Sequence, residues 1–500
     1  MSEAPSDMVA QGLRRAQDQL AGRVPPATRL ALLQRAQMLQ PTLDGARQMV
    51  GLALDAGDPE RAAQIFAGLP PMVWRGDHAS TGWFDHARQR LLQAGLAPPR
   101  LPESSDTLVI SFAFPPFANT AGNVMARRIE TAGERVDVIS NDMTGRAGLD
   151  LSLYAAIRPL IGRHLLVTAE NWPARATAAR QFSEIVVEAV RSGATGRRHY
   201  REIRSRAMWA QSHFAAAALL AAGLADRWVA EFSDPCRLDL DGNPAQAPAD
   251  EAWLEQMGIS ALIRDRGYPV PTGKPLMFWA EYLPFCLAER IIFTNPVQQA
   301  LMLSQDDPQA VRDRARAVSE ISPHPQPGPL LLSHLPATAP PDRLCRVGYF
   351  GHANPRRGLG ELLHAMAALQ PGVAQRLVLH VFGTPDPALP ELVARLGLGR
   401  QVRISPPLGY LDALARMREM RWLFLNDTAT AGAFARNPYL PSKLSDYLSA
   451  DLPLLAVVEP DSPLANTPLP EGSIKAPAGD MPALQAALQT MLAGADADAM

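Results

Sequence analysis

Ser442, Lys443 and Asp446 combine a hydroxyl, an ammonium and a carboxylate within five residues. The surrounding stretch 436–458, RNPYLPSKLSDYLSADLPLLAVV, predicts a loop, a helix over 443–449 that Ser442 caps, and then a buried apolar strand. A helix start presents unpaired backbone N–H groups, so together with the hydroxyl and the ammonium it suits a phosphate. An ordinary helix-to-strand crossover with a serine cap and a solvated lysine explains the same pattern.

A second set of phosphate-binding residue types follows a predicted strand over 346–350. Gly351 opens a short polar loop, and Arg356 and Arg357 stand beside Gly358 where a helix is expected to begin. Glycine lets the backbone approach a ligand closely, and two guanidiniums at a helix start would hold a diphosphate through charge-assisted hydrogen bonds. The alternative is a solvated arginine pair in a loop.

Carboxylates gather in WVAEFSDP, residues 228–235, where a short strand runs into Glu231, Ser233 and Asp234. Two carboxylates and a hydroxyl at the carboxyl end of a strand suit an acceptor hydroxyl, with Glu231 and Ser233 binding it and Asp234 in the catalytic role. Asp234 followed by proline is also a common way to open a turn, and that reading stays open.

Two further strand ends carry candidate donor-binding residues. Gly122 lies in the predicted loop 113–123, where its backbone could approach a phosphate, or where the turn alone requires glycine. Asn426 and Asp427 follow another predicted strand, at the edge where parallel sheets bind ligands.

The run GRRHYREIRSRAMW, residues 196–209, interleaves five arginines with Tyr200 and Trp209. Such a run suits a phosphorylated acceptor or an anionic membrane surface. A solvated helix face is the commoner explanation.

Composition limits the class of protein. The 500 residues are 47% hydrophobic and 20% charged, as in a globular protein, and a net charge of -2 argues against nucleic-acid binding. Three widely spaced cysteines fit neither a disulfide framework nor a zinc site, and no metal cluster is expected. The N-terminus lacks signal-peptide regions and no apolar run would span a bilayer, so the predicted location is the cytoplasm, with contact at the inner membrane face as an option.

The chain order predicts an α/β protein with four parts. Residues 1–102 have a helical apolar period and form a helical extension, either a small bundle or a protein-binding array. Strands alternate with helices over 103–321 and again over 343–495, which predicts two Rossmann-like, doubly wound domains with parallel sheets. Seven prolines in 322–341 predict an extended linker over residues 322–342.

The motifs PYLPSKLSDYL and LPLLAVV resemble retaining glycosyltransferases of family 4, of the bacterial surface-polysaccharide type, which have the GT-B fold of two Rossmann-like domains facing a cleft. The resemblance implies that the Ser-Lys-Leu amides face the donor diphosphate and that Asp446 accepts the ribose hydroxyls. It also places the Gly122 loop towards the donor.

The loop after residue 350 matches the family at Gly351 and Gly358. His352 stands where the family has arginine and Arg357 where it has lysine, which implies phosphate contacts for both. Pro438 stands where many members carry a glutamate, so Asn426, Asp427 or Asn437 is expected to read the sugar instead.

The resemblance implies retention of configuration during transfer from a nucleotide-diphosphate sugar to a saccharide or lipid-linked acceptor. Arg357 and Lys443 would stabilise the leaving diphosphate, so that neither a metal nor another cofactor is expected. Two other classes stay open: a catalytically inactive nucleotide-binding scaffold that recruits partners through its N-terminal helices, and a nicotinamide-dependent oxidoreductase. The latter lacks a G-x-G-x-x-G after either first strand.

Overall fold

A computed structural model describes residues 5–75, 78–172, 174–337, 344–352, 358–370, 375–384, 386–430 and 432–497. Two compact units divide the chain. Unit 1 contains the chain up to Arg237, Ala245–Ile292 and Asp306–Glu320. Unit 2 contains Leu238–Pro244, Phe293–Gln305 and the chain from Ile321 onward.

The strands of the described residues are β1 Met72–Arg75, β2 His78–Ser80, β3 Thr107–Ile110, β4 Val136–Asn141, β5 Ile161–Val167, β6 Tyr200–Ala207, β7 Ala225–Phe232, β8 Arg290–Phe293, β9 Ser319–Ile321, β10 Cys345–Phe350, β11 Leu377–Phe382, β12 Val402–Ser405, β13 Trp422–Asn426, β14 Leu454–Val458 and β15 Ile474–Pro477.

The α-helices of the same residues are α1 Pro5–Gln19, α2 Pro26–Leu39, α3 Leu43–Asp55, α4 Pro59–Ala67, α5 Gly82–Gln93, α6 Thr120–Ala132, α7 Leu151–Ile157, α8 Ala176–Arg191, α9 Gln211–Ala221, α10 Glu251–Gln256, α11 Ile259–Asp265, α12 Leu276–Leu287, α13 Pro296–Met302, α14 Gln309–Ala317, α15 Pro329–Leu332, α16 Gly360–Ala367, α17 Ala388–Arg395, α18 Tyr410–Met417, α19 Leu444–Leu448, α20 Pro463–Asn466 and α21 Met481–Ala497.

The sheet of unit 1 has the strand order β2-β1-β5-β4-β3-β6-β7-β8-β9. The pairs from β1/β5 through β7/β8 are parallel, and only the pair β1/β2 among those with a described register is antiparallel. All four residues of β3 are buried, which is the pattern of a parallel strand covered by helices on both faces.

The sheet of unit 2 has the order β12-β11-β10-β13-β14-β15, and every described pair is parallel. Its core joins strand residues such as Val347, Leu379 and Leu455 to α16 and α21 through Leu363 and Leu488. The predicted fold class, two α/β domains with parallel sheets, is therefore confirmed.

The strand predicted over 346–350 forms as β10, which begins one residue earlier. The turn between α3 and α4 also forms as the sequence indicates. Gly57 has a left-handed φ of 76°, and the side chain of Asp58 accepts a hydrogen bond from the N–H of Arg61 ahead of Pro59. Asn295 caps α13 in the same way, with Pro296 at its first position.

The sequence predicted a purely helical N-terminal region, but the structure has the strands β1 and β2 there. Met72 and Val73 of β1 pair in parallel with Leu165 and Leu166 of β5. Residues 1–102 therefore contribute an edge to the sheet of unit 1. With only four residues between helical segments, β1 is too short to show the alternation of apolar and polar residues that identifies a strand.

The arginine-rich run 196–209 was expected to form a helix face, but Tyr200–Ala207 is the strand β6 beside β3. The strand tolerates its charges because they are paired. Arg204 contacts Glu134 and Glu202, and Arg206 contacts Glu231. Because of these charged residues, the sequence did not predict the strand β6 near the centre of the sheet.

Two segments differ from the linear order of domains that the sequence predicted. Residues 238–244 and 293–305 belong to unit 2, although they lie inside the predicted range 103–321. Within the predicted linker, the short helix α15 interrupts the extended chain, and residues 338–342 lie outside the described part.

Candidate functional site

The candidate donor site lies where the topology of unit 2 reverses. The chain places β11 and β12 on one side of β10 and β13 to β15 on the other, so β10 and β13 flank the switch point. In open parallel sheets ligands bind beyond the carboxyl ends of the strands at this point. Gly351 follows β10, and Asp427 follows Asn426 at the end of β13.

Two glycines allow the loops at this edge to approach each other. Gly351 follows β10 with a φ of 130°, and Gly383 follows β11. A β-carbon on Gly383 would collide with the carbonyl oxygen of Gly351. Only glycine fits at Gly383, where the two turns come closest.

The Lys443 ammonium lies at the Gly351 turn, although the two residues are far apart in sequence. Its Nζ is 3.7 Å from the ring centroid of Tyr349, and a β-carbon built on Gly351 would lie 3.4 Å from it. A cation over an aromatic face is held electrostatically without losing its charge. A lysine and a glycine turn far apart in sequence are thus brought together.

Tyr447 fixes this arrangement. Its buried hydroxyl oxygen accepts a hydrogen bond of 2.9 Å from the N–H of Phe350, the last residue of β10, and its ring meets that of Phe350 edge on. Burial raises the pKa of the Tyr447 hydroxyl well above its ordinary value, so it stays neutral. The contact ties α19, and with it Lys443, to the end of β10.

Ser442 does not cap the helix, which corrects the prediction. The helix begins at Leu444, its N-cap is Lys443 in a helical conformation, and no side chain caps it. The N–H of Leu444 already bonds to the carbonyl of Pro441 in a turn, so Ser442 lacks the extended backbone that a capping residue needs. A contact between Ser442 and the donor stays a prediction.

Asp446 lies in the first turn of α19, and its Oδ1 accepts a hydrogen bond of 2.7 Å from the hydroxyl of Tyr410 at the start of α18. Its expected role at the ribose stays a prediction. The sequence analysis missed Tyr410, because a tyrosine that begins an amphipathic helix carries no signal of a distant carboxylate partner.

A pocket of about 220 Å³ opens beyond β13 and β14. Its lining includes Gly358 and Gly360 ahead of α16, Asn426 and Asp427 after β13, and Glu459 after β14. Asn426 donates from Nδ2 to the carbonyl of Gly358 at 3.3 Å, while its Oδ1 is buried and accepts no hydrogen bond from the described residues. A buried acceptor in a pocket wall favours a ligand that donates, such as a sugar hydroxyl.

Asp427 and Glu459 form a carboxylate pair beside this pocket. Asp427 accepts a hydrogen bond of 2.9 Å from the N–H of Glu459, whose own carboxylate accepts from the N–H and hydroxyl of Thr430. Burial raises the pKa of Asp427 to about 6, and the Glu459 charge adds to the rise, against hydrogen bonds from Ser462 and the Glu459 N–H. Asp427 thus titrates closer to neutrality than an ordinary carboxyl.

Asn437, the alternative sugar-reading residue, is buried, and its side chain makes hydrogen bonds within the protein. Its Nδ2 donates to the carbonyl of Thr428 and to Glu459. Pro438 has a structural contact of its own, because its carbonyl accepts from Nδ2 of Asn295 at 2.9 Å. Asn426 and Asp427 are the two of these candidates that line the pocket.

Three further candidates for donor binding, His352, Arg356 and Arg357, follow β10. Arg356 and Arg357 lie outside the described residues. His352 is exposed, and its carbonyl accepts a hydrogen bond of 3.0 Å from the hydroxyl of Tyr349. Phosphate contacts by these three residues stay predictions.

Gly122 lies inside α6, because the helix begins at Thr120 and not after the loop 113–123 as expected. A β-carbon on Gly122 would lie 3.0 Å from the carbonyl oxygen of Ala113 and from Cα of Phe114. Glycine here lets the helix pack on the backbone that leaves β3, and its donor contact stays a prediction.

The acceptor-side candidates cluster at the carboxyl end of β7 in unit 1. Glu231 is 3% exposed and accepts from Nε of Arg128 at 3.1 Å and from Nη1 of Arg206. Burial lowers the pKa of Arg206, and the charges of Glu231 and Asp234 oppose that shift. The sequence analysis did not foresee either arginine partner. Because Glu231 is engaged in this network, an acceptor would have to share it.

Ser233 and Asp234 extend this cluster. The Ser233 hydroxyl is buried and has no hydrogen-bond partner among the described residues, and Asp234 is half-buried. Their expected parts in acceptor binding and catalysis stay predictions.

Among the described residues no group of three or more histidine, cysteine and acidic side chains is arranged to hold a metal ion. In the same part of the chain no helix is long and apolar enough to cross a bilayer.

No protein-family model matches the chain, and no curated protein matches it in sequence. Solved structures with a similar fold include Anabaena HepE in complex with UDP and glucose, with 12% identity over 79% of this chain and 94% of that one and a TM-score of 0.48. Another is the sucrose-phosphate synthase of Thermosynechococcus elongatus, with 16% identity, coverage of 78% and 91%, and a TM-score of 0.45. A third is the lipopolysaccharide outer core galactosyltransferase WaaB, with 12% identity, coverage of 78% and 90%, and a TM-score of 0.46.

Proposed function

We propose that this protein is a glycosyltransferase that takes a sugar from a nucleotide-diphosphate donor and transfers it, with retention of configuration and without a metal ion, to a hydroxyl of a saccharide or lipid-linked acceptor. The observation that carries the proposal is the switch point of unit 2. There the Lys443 ammonium lies against the Gly351 turn, next to a pocket with a buried, unsatisfied Asn426 oxygen.

The two features suit the two ends of one ligand. An ammonium beside a glycine turn offers charge and backbone to a diphosphate, and a polar pocket of about 220 Å³ can hold a sugar ring that donates to Asn426. A nucleotide sugar carries its sugar directly on a diphosphate, whereas the G-x-G-x-x-G pattern of dinucleotide-binding enzymes follows neither β3 nor β10 in the sequence. We therefore favour transfer of a sugar over transfer of a hydride.

The proposed chemistry assigns charge stabilisation to the chain's own cations. As the bond to the sugar breaks, negative charge grows on the diphosphate, and Lys443 with Arg356 and Arg357 neutralises it. The attacking hydroxyl passes its proton to a phosphate oxygen on the same face of the sugar. Asp234, Glu231 and Ser233 would orient the acceptor, and Asp446 would hold the ribose.

A screen of nucleotide sugars tests the proposal. The full-length protein is incubated in excess EDTA with UDP-, GDP-, ADP- and TDP-sugars, and donor hydrolysis or transfer is followed by mass spectrometry. We expect turnover of at least one donor, loss of that turnover in Arg357→Ala, and an axial-to-axial or equatorial-to-equatorial product by NMR. Tight binding of a nucleotide diphosphate without turnover of any donor would favour the inactive scaffold.

A further inference from the structure

Trp172 is an exposed aromatic residue at the carboxyl edge of unit 1. It lies in the loop after β5 and is 43% exposed. Two guanidiniums lie over its indole ring, with Cζ of Arg146 at 4.4 Å and Cζ of Arg175 at 5.1 Å from the ring centroid. Arg146 comes from the loop after β4 and Arg175 directly precedes α8, so three separate side chains converge at one point.

Buried amides hold the backbone of this loop in place. Asn141, at the end of β4, donates to the carbonyl of Ala169 and to Oδ1 of Asn171, and accepts from the N–H of Ala169 at 2.7 Å. Gln211, which is fully buried at the start of α9, donates to the carbonyl of Trp172 at 2.7 Å. The exposed indole is thus fixed at its backbone, unlike a surface side chain on a mobile loop.

The charges in the cluster are not equivalent. Glu170 accepts from Arg175 at 2.8 Å and from the hydroxyl of Thr177 at 2.6 Å, so it compensates the charge of Arg175. Arg146 forms no ion pair with a carboxylate among the described residues, because Asp142 in its own loop faces the N–H of Thr144. The cluster therefore carries one guanidinium whose N–H groups are not used by an acidic side chain.

The position of the cluster agrees with a ligand site. The order of unit 1 reverses between β3 and β6, and the Gln211 hydrogen bond ties the Trp172 loop, which follows β5, to the segment after β6. The loop thus reaches the carboxyl edge on both sides of the switch point, where open parallel sheets bind ligands.

We propose that Trp172, Arg146 and Arg175 bind a saccharide that carries an oxyanion, a phosphate or a carboxylate. A guanidinium stacked on indole keeps its N–H edge exposed in a fixed plane, which suits bidentate bonds to either oxyanion. The uncovered part of the indole offers an apolar surface to the sugar ring. The assignment of this ligand as the acceptor rests on the proposed function. The binding of the ligand is independent of that function.

A membrane surface fits the cluster less well. Glu170 lies beside Arg175, and an anionic bilayer would repel its carboxylate. We therefore make vesicle binding an outcome of the test.

The test measures saccharide binding in the absence of donor. Glucose 6-phosphate, glucuronic acid and glucose, the neutral control, are titrated into the full-length protein and followed by ligand-observed NMR. We expect one of the two acids to bind at least tenfold more tightly than glucose. Arg146→Gln should weaken that binding about tenfold or more, the loss of one charge-assisted pair.

Matched variants separate the site from general charge. Arg180→Gln removes an exposed arginine of α8 that pairs with Glu184 and should leave binding unchanged. Trp172→Phe should keep most of the affinity, and Trp172→Leu should lose it. Equal binding of glucose and both acids, wild-type affinity in Arg146→Gln, or Arg146-dependent binding to phosphatidylglycerol vesicles without saccharide binding would each overturn the proposal. Donor hydrolysis, which does not need this site, is measured separately and reports on the proposed function alone.

Discussion

Among single residues, Lys443 has the most direct part in the proposed charge stabilisation. Its ammonium lies over the Tyr349 ring and beside Gly351, in a position where it can meet a diphosphate. A cation over an aromatic face is held there without losing its charge.

Lys443→Met, which keeps most of the side-chain volume and removes the charge, should lower kcat/KM on the order of 10²-fold, the scale of one lost transition-state donor. Lys274→Met is the matched control, because Lys274 also lies over an aromatic ring, Phe278, but in unit 1. Steady-state kinetics with the donor found in the screen measure both. Equal kcat/KM in the two variants would remove Lys443 from the proposed mechanism.

Asp427 gives a prediction about pH and stability. Its pKa is about 6 in the folded protein against an ordinary 3.8, so the folded state binds the proton more tightly than the unfolded state does. Stability is then highest below the ordinary pKa and falls as the pH rises from about 4 to about 6, after which the cost of the buried charge is constant.

Asp427→Asn removes that charge and keeps an acceptor for the Glu459 N–H, so it should raise the free energy of unfolding at pH 7.5 by about 1–3 kcal/mol. At pH 4 the same variant should gain little. Thermal denaturation at both pH values measures the difference, and Asp461→Asn at an exposed position is the control. Asp137, whose pKa burial also raises to about 6, keeps part of the pH dependence in the variant. A gain of the same size at both pH values would contradict the assigned pKa.

Among the elements, the sequence predicted those strands that consist of continuous apolar runs. The runs that became β3, β11 and β14 are apolar and buried on both faces, so their composition alone identifies them. β6 was missed because its arginines are neutralised by partners such as Glu134 and Glu231, which come from other parts of the chain. Local pattern cannot register a charge that a distant residue compensates.

The candidate site shows the same division. Ser442, Lys443 and Asp446 were predicted from their residue types at a helix start, and Asn426 from its place at a strand end; their roles stay predictions. Their partners were not predicted, because Tyr447 and Tyr410 act across the fold through single hydrogen bonds to Phe350 and Asp446. The cap predicted at Ser442 failed because a turn at Pro441 sets the backbone there before the helix begins.

The N-terminal region permits a prediction about elements. α1 and α2 contact mainly each other and α3, whereas β1 pairs with β5 in the sheet. Removing residues 1–39 should therefore leave a folded protein with unchanged nucleotide affinity. Removing residues 1–100 takes away β1 and should cause a much larger loss of thermal stability, in contrast to the separate extension that the sequence indicated. Equal melting temperatures for the two truncated proteins would show that β1 does not support the sheet.

At the scale of the whole molecule, two units with parallel sheets each present a set of polar side chains at a switch point. Unit 2 presents Lys443, Asp446 and the Asn426 pocket, which suit a nucleotide-diphosphate sugar. Unit 1 presents the Glu231 and Trp172 clusters, which suit a hydroxyl and an oxyanion-bearing saccharide. A transferase of sugars needs one such site for the donor and one for the acceptor.

The proposed function requires that the switch point of unit 2 binds a nucleoside diphosphate without a metal. Thermal unfolding in excess EDTA, with the diphosphate of the active donor at 100 times its Kd, tests it most directly, since such a ligand stabilises the fold by about 2.7 kcal/mol. Asp446→Ala should lose most of the shift, and Asp446→Asn should keep part because its amide oxygen still accepts. If Asp446 only complements the helix dipole, worth about 0.3–1 kcal/mol, both variants would melt slightly lower and show the wild-type shift, which would contradict the ribose role alone. The absence of any shift in the wild-type protein in EDTA would contradict diphosphate binding at this site.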